Sequence, residues 1–211
     1  MLVVFDWDGT LIDSTGKIVR SMHKAAEQVG LPVLADDAVR NIIGLGLPEA
    51  ILTLYPQAES AQRQDLRETY SQVYISEDTS PCALFAGVEQ GLQRLQEAGH
   101  YIAIATGKSR RGLDRMLANL DWQTRFDATR CADETASKPD PRMLLELIAH
   151  FSIASDEVYM VGDTEYDLAM AKRAGVRGIG VSYGAHAAER LYLHQPIAVI
   201  DHFVELDKIL L

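Results

Sequence analysis

The sequence predicts an α/β protein built on a mainly parallel sheet, with a small helical unit inserted after the first strand. Three observations lead there. Short apolar runs alternate with stretches of helical periodicity over most of the chain. The first three runs end in a small or acidic residue: Asp6, Thr106 and Asp163. Residues 14–80 carry helical patterning with no convincing strand.

The first predicted strand is 2–5, four apolar residues that meet Asp6 at once. The next are 101–105, 158–161 and 178–181, with a weaker one at 198–200. Parallel sheets bind ligands outside the carboxyl ends of their strands, so residues following these runs are the first candidates for chemistry. Within the insertion, a first helix is expected from about Ser14 to a stop at Gly30, and a short second one over 36–43. A third opens with Pro48 in its first turn and ends before Pro56, and a fourth spans about 58–75. The segments 11–14 and 78–81 read as linkers, giving a discontinuous core of 1–13 plus 81–211 around a helical domain of 14–80.

Composition narrows the function classes. With 47% apolar and 24% charged residues the chain can bury an ordinary core. A net charge of -10 argues against nucleic-acid or anionic-membrane surfaces, which need exposed excess Lys and Arg. An anionic ligand would therefore meet locally supplied positive charge. No window approaches the ~20 apolar residues of a membrane span. The amino terminus lacks the basic region and apolar length of a signal peptide, so a cytoplasmic location is expected. Cys82 and Cys131 show no paired spacing and are expected as buried free thiols.

Four segments carry the candidate chemistry. In Phe5-Asp6-Trp7-Asp8-Gly9-Thr10-Leu11 two carboxylates stand two apart at a strand end. On extended backbone they point the same way and repel unless a cation or shared proton compensates. A turn with solvated acids is the plainer reading. Thr106-Gly107 ends the second strand, where a Thr also serves as a helix cap. Lys138 lies in Ser137-Lys138-Pro139-Asp140-Pro141, where Pro139 favours extended backbone for it. Gly162-Asp163-Thr164-Glu165-Tyr166-Asp167 follows an apolar strand and starts a helix ending at Gly175, so its acids can cap, bind metal or do both.

Taken in order, these four segments resemble the motifs of the haloacid dehalogenase superfamily of phosphatases and phosphomutases, in particular its phosphoglycolate phosphatase-like members. The resemblance spans essentially the whole chain. It implies a Rossmann-like doubly wound core with an all-helical cap, and a Mg²⁺-dependent phosphatase that hydrolyses a small phosphomonoester through an aspartyl-phosphate. It further implies Asp6 as nucleophile and Asp8 as acid/base, with Thr106 and Lys138 completing the catalytic set. Asp6, Asp8 (through its backbone carbonyl), Asp163 and Asp167 would form the metal site. Family members that displace halide typically have Tyr in place of the second Asp, so Asp8 favours phosphoryl chemistry.

The loop 42–47 resembles the family's substrate-specificity loop, and its apolar character with no lysine argues against carbon–phosphorus cleavage. Substrate contacts are expected from Gly107, Gly44, Arg20 and His23, with Ser14, Thr15 and Arg40 as further candidates. Lys108, Arg110 and Arg111 would line the crevice mouth and attract anions. A phosphomutase, an inorganic pyrophosphatase and a catalytically silent phosphate-sensing protein remain as alternatives, and the chain would act as a monomer or homodimer with no nucleic-acid or membrane partner.

Overall fold

The computed structural model describes residues 1–78 and 81–211. Thr79 and Ser80, part of the predicted second linker, lie outside the described residues. Six strands form one parallel sheet: β1 (Leu2–Phe5), β2 (Tyr101–Thr106), β3 (Ala128–Cys131), β4 (Val158–Gly162), β5 (Arg177–Val181) and β6 (Ala198–Ile200). Their order is β3-β2-β1-β4-β5-β6. The chain winds outward from β1 to β3, crosses back to β4 beside β1, then winds out the other way. The doubly wound expectation holds, and the switch point falls between β1 and β4, where such sheets open a crevice.

The helices are α1 (Thr15–Gln28), α2 (Asp36–Arg40), α3 (Leu47–Leu54), α4 (Ser60–Gln72), α5 (Val88–Glu97), α6 (Arg110–Asn119), α7 (Arg142–Phe151), α8 (Glu165–Ala174), α9 (Ala188–Tyr192) and α10 (Asp207–Leu210). A π-helical turn, Val73–Glu77, continues α4. The second helix of the insertion is shorter than the predicted 36–43, because residues 41–44 leave the helix for a turn in which Gly44 takes φ +99°.

Strand β3 has no counterpart among the predicted strands. It is an edge strand of four residues, Ala-Thr-Arg-Cys, of which only Cys131 is buried. An edge strand covered on one side needs no apolar run, so periodicity does not reveal it. Cys131 is buried as expected and burial pushes its thiol up to about 12, whereas Cys82 is only half-buried.

The alternation of β1 sets the site. Val3, Phe5 and Trp7 belong to the core on one face of the sheet, with Ile102, Val161 and Phe203. Leu2 and Val4 belong to the core on the other, with Met143, Leu147 and Met170 from α7 and α8. Asp6 continues the even-numbered face, toward α7 and α8. Trp7 goes the opposite way, edge-on to Trp122 and Phe126. Helices α1 to α4 gather around a separate cluster that includes Met22, Val39, Ile51 and Leu66. No helix among the described residues is long and apolar enough to cross a membrane.

Candidate active site

The carboxyl ends of β1, β2 and β4 bring Asp6, Asp8, Thr106 and Asp163 together as the sequence suggested. Lys138 arrives on the loop before α7 and Asp167 on the first turn of α8. The Asp6 backbone N–H still donates to the Val161 carbonyl at 2.9 Å, which holds the end of β1 against β4. Asp6, Lys138, Asp163 and Asp167 are all at most 1% exposed.

Lys138 Nζ donates to Asp6 Oδ1 and lies 2.6 Å from Asp167 Oδ1. The other Asp167 oxygen accepts from the Thr164 backbone N–H at 3.1 Å and its hydroxyl at 2.7 Å, closing a capping box at the start of α8. Asp163 Oδ1 accepts from the Thr10 hydroxyl at 2.9 Å and Oδ2 from the Ala185 N–H at 2.7 Å. Gly9 and Gly184 press against this carboxylate so closely that a Cβ at either would overlap it. Helix capping and a shared acidic cluster therefore coexist.

Three carboxylates thus face one ammonium in a buried space. Asp6, Asp163 and Asp167 each offer an oxygen within 4.8 Å of the others, and Asp6 Oδ2 has no hydrogen-bond partner among the described residues. Burial holds the Asp6 carboxyl well above its ordinary range; Lys138 opposes the shift, while Asp167 and Asp163 add to it. Asp163 is pushed up to about 7 by burial first and Asp167 second. Burial would lower Lys138, but Asp167 and Asp6 overcome that and keep it charged. The residues fit a divalent cation: the cluster has two more carboxylates than ammonium groups and an unused, buried carboxylate oxygen.

The side chain of Asp8 does not join that cluster. Its Oδ1 accepts from the Ser14 hydroxyl at 2.5 Å and its Oδ2 pairs with Lys108 Nζ at 3.0 Å. Ser14, the residue before α1, takes helical backbone angles and makes no side-chain cap, so its hydroxyl serves Asp8 as a donor. The two acids of the first motif face different partners, so any part of Asp8 in the metal site would fall to its backbone carbonyl. Thr106 is fully buried and its Oγ1 accepts from the Lys108 N–H at 3.2 Å.

A cavity of about 850 Å³ lies between these strand ends and the helical insertion, lined by Asp6, Asp8, Thr106 and Gly107 from below and by Gly44 and Leu45 from above. The loop 41–46 docks on the core through backbone groups. The Asn41 carbonyl accepts from the Tyr166 hydroxyl at 2.9 Å and from His186 Nε2–H at 3.2 Å. His186 Nδ1 accepts from the Glu165 N–H at 3.2 Å, which fixes the neutral tautomer; burial lowers its pKa in the same sense. The Gly46 N–H donates to the Ser137 hydroxyl at 2.8 Å.

Gly44 fits because a Cβ there would stand 2.9 Å from Thr164 Oγ1, the same hydroxyl that donates to Asp167. Gly44→Ala is accordingly expected to lower kcat/KM about tenfold, since left-handed strain of roughly 1–3 kcal/mol and the overlap both push the loop off the core. Steady-state kinetics with circular dichroism checks this: reduced kcat/KM in a folded variant is expected, and unchanged kinetics would remove the loop from the site.

Several predicted contacts fall elsewhere. Arg20 is half-exposed and pairs with Asp78 at 3.1 Å, and His23 sits 3.8 Å from Asp36; neither lines the cavity. Arg40 is also outside it. Arg110 is spent on Glu134, Asp114 and Thr129, whereas Lys108 and Arg111 do line the cavity. Ser14 and Thr15 are buried, Ser14 against Asp8. Sequence reasoning missed Ser137, Tyr166, His186, Lys17 and Tyr74. The first two adjoin recognised motifs and were within reach; His186 has no motif of its own.

A doubly wound sheet with an acidic cluster and a lysine at its switch point, roofed by a helical insertion, defines a hydrolase built for phosphoryl groups. Residues 3–181 match the family described as Haloacid dehalogenase-like hydrolase, and the chain belongs to it. It is 33% identical over 209 residues to "Probable phosphatase IndB" of Dickeya dadantii (strain 3937), covering 97% of this chain and 91% of that protein. It is 28% identical over 215 residues to a phosphoglycolate phosphatase of Nitrosococcus oceani, covering 99% and 96%. A crystal structure of a hydrolase from Pseudomonas syringae shares the fold, with a TM-score of 0.90 at 23% identity over 99% of this chain and 97% of that one. The protein is a phosphatase of this family.

Proposed function

We propose that this phosphatase is Mg²⁺-dependent and hydrolyses a small phosphomonoester of the phosphoglycolate type through an aspartyl-phosphate on Asp6. The observation that carries the reading is the buried cluster in which Asp6, Asp163 and Asp167 outnumber Lys138 while Asp6 Oδ2 has no partner among the described residues. Asp6, Asp163, Asp167 and the Asp8 carbonyl would hold Mg²⁺, which when bound supplies charge neutralisation for the nucleophile and the phosphoryl oxygens.

The remaining chemistry belongs to this chain's own residues. Asp6 attacks phosphorus in line, and the bond from phosphorus to the leaving oxygen breaks as the carboxylate–phosphorus bond forms. Lys138 holds Asp6 in place and balances charge on the transferring group. The Thr106 hydroxyl, whose oxygen already accepts from the Lys108 N–H, and the Gly107 N–H donate to phosphoryl oxygens. Asp8 gives its proton to the leaving alkoxide. As a carboxylate it then takes a proton from the water that attacks phosphorus, releasing phosphate and restoring Asp6.

In this reading residues 14–80 act as a cap over a core of 1–13 and 81–211, and the protein works in the cytoplasm. The separate apolar cluster of α1 to α4 and the polar docking of loop 41–46 support a cap that lifts and closes.

The pKa shifts make the metal testable without turnover. Asp163 ordinarily titrates near 3.8 and is raised to about 7 in the fold. A raised acid contributes stability that is fully present below the lower value and is lost as pH rises through the upper one. The metal-free protein is therefore expected to lose thermal stability between about pH 4 and pH 7 through this group. Mg²⁺ should raise Tm more at pH 8 than at pH 5; an equal increment at both, or none, would contradict the assigned site. For the reaction itself, a Mg²⁺-dependent hydrolysis screen over phosphoglycolate, sugar phosphates, nucleotides and pyrophosphate is the test. Phosphate release from a monoester without added sugar bisphosphate is expected. Transfer without release would favour a mutase, and no turnover of any member would defeat the reading.

A further inference from the structure

We propose that the cavity contains a second anion subsite, formed by Lys17 and Lys108 around the ring of Tyr74, which selects phosphomonoesters whose leaving group carries its own negative charge. The inference rests on the phosphatase reading above and assigns Lys17 as a specificity-determining residue.

Lys17 stands in the first turn of α1, where a cation opposes the helix dipole. That turn contains no acid, and the helix start has no side-chain cap. Lys17 is half-buried, lines the cavity and has no carboxylate partner among the described residues. In a chain of net charge -10, that is no consequence of scarce acids. A cation held against its helix dipole and away from carboxylates is a local rule broken at a functional place.

The surroundings point to what it meets. Lys17 Nζ lies 4.7 Å from the centroid of the Tyr74 ring, and Lys108 Nζ lies 4.9 Å from the same centroid. The ring thus holds two ammonium groups beside one cavity. Lys108 is also 3.0 Å from Asp8 Oδ2, so the pair extends from the acid/base toward the cap. The Tyr74 hydroxyl is buried and faces the Cys82 thiol, so it is the ring face rather than the hydroxyl that Tyr74 offers to the two ammonium groups. Ile18, Ile75 and Met116 line the same cavity. Two ammonium groups on one ring, Lys17 with no carboxylate partner among the described residues, suit a carboxylate or a second phosphate on the leaving group.

The test compares 2-phosphoglycolate, α-glucose 1,6-bisphosphate and ethyl phosphate with the Mg²⁺-loaded enzyme. Wild type is expected to favour at least one of the two doubly charged esters over ethyl phosphate in kcat/KM. Lys17→Gln should reduce that preference about tenfold, mainly through KM, while Lys17→Arg retains it. Which charged ester responds identifies carboxylate or phosphate as the group bound. A preference unchanged in Lys17→Gln, or a wild type that treats ethyl phosphate as well as both others, overturns the subsite and leaves the phosphatase reading standing. Turnover of none of the three overturns the subsite, while the phosphatase reading is decided separately by the wider hydrolysis screen.

Discussion

Asp6→Asn is expected to lower kcat by roughly four orders of magnitude while leaving a folded protein that is at least as stable as wild type without metal. The activity loss follows from the proposed nucleophile: an amide at this position cannot form the aspartyl-phosphate. The stability effect follows from the buried charge. The Asp6 carboxyl is raised by burial, then further by Asp167 and Asp163. An uncharged side chain of the same shape relieves that cost, and Lys138 keeps its contact with Asp167. The Mg²⁺-induced rise in Tm should shrink in the same variant. Kinetics and thermal melts of one preparation check both halves; substantial turnover in pure variant, or unfolding, would contradict the assignment.

Lys138→Met is expected to lose activity comparably, by about three orders of magnitude or more, but with the opposite effect on stability. Its ammonium is fully buried between Asp6 and Asp167. Methionine fills much of the volume and leaves three buried carboxylates without a cation, a loss of about 3–5 kcal/mol at neutral pH without metal. The destabilisation should be smaller at pH 5 than at pH 8, because protonated acids need no partner. A fall in Tm independent of pH would mean that packing rather than charge dominates at this position. Two variants with similar kinetic defects and opposite stability changes distinguish a charge-balanced site from one held by shape alone.

The fold and the core of the site were legible because each motif couples an apolar run to a polar end. Val158–Gly162 followed by Asp163 announces both a strand and what stands at its tip. Strand β3 was not legible because an edge strand of Ala-Thr-Arg-Cys leaves no apolar signal. The docking of loop 41–46 was hidden for another reason: its acceptor is the Asn41 backbone carbonyl, which has no side-chain signature. Arg20 misled because its partner, Asp78, is remote in sequence and close only after the insertion folds. The separation of Asp6 from Asp8 was also invisible, since period-2 spacing places both on one face and cannot foresee Ser14 and Lys108 drawing the second acid aside. Lys17 was visible only as a lysine near a helix start; Tyr74, far along the chain, gives it a place in the cavity.

The central claim is that Asp6 carries the phosphoryl group, and trapping that group tests it most directly. An Asp8→Asn variant, slowed in releasing phosphate, would be mixed with Mg²⁺ and a substrate identified in the hydrolysis screen, then quenched and reduced with borohydride, which converts an acyl phosphate to an alcohol. Peptide mass spectrometry is expected to find homoserine at position 6 and unmodified aspartate at 163 and 167. Homoserine at another position, or none during active turnover, would contradict the account.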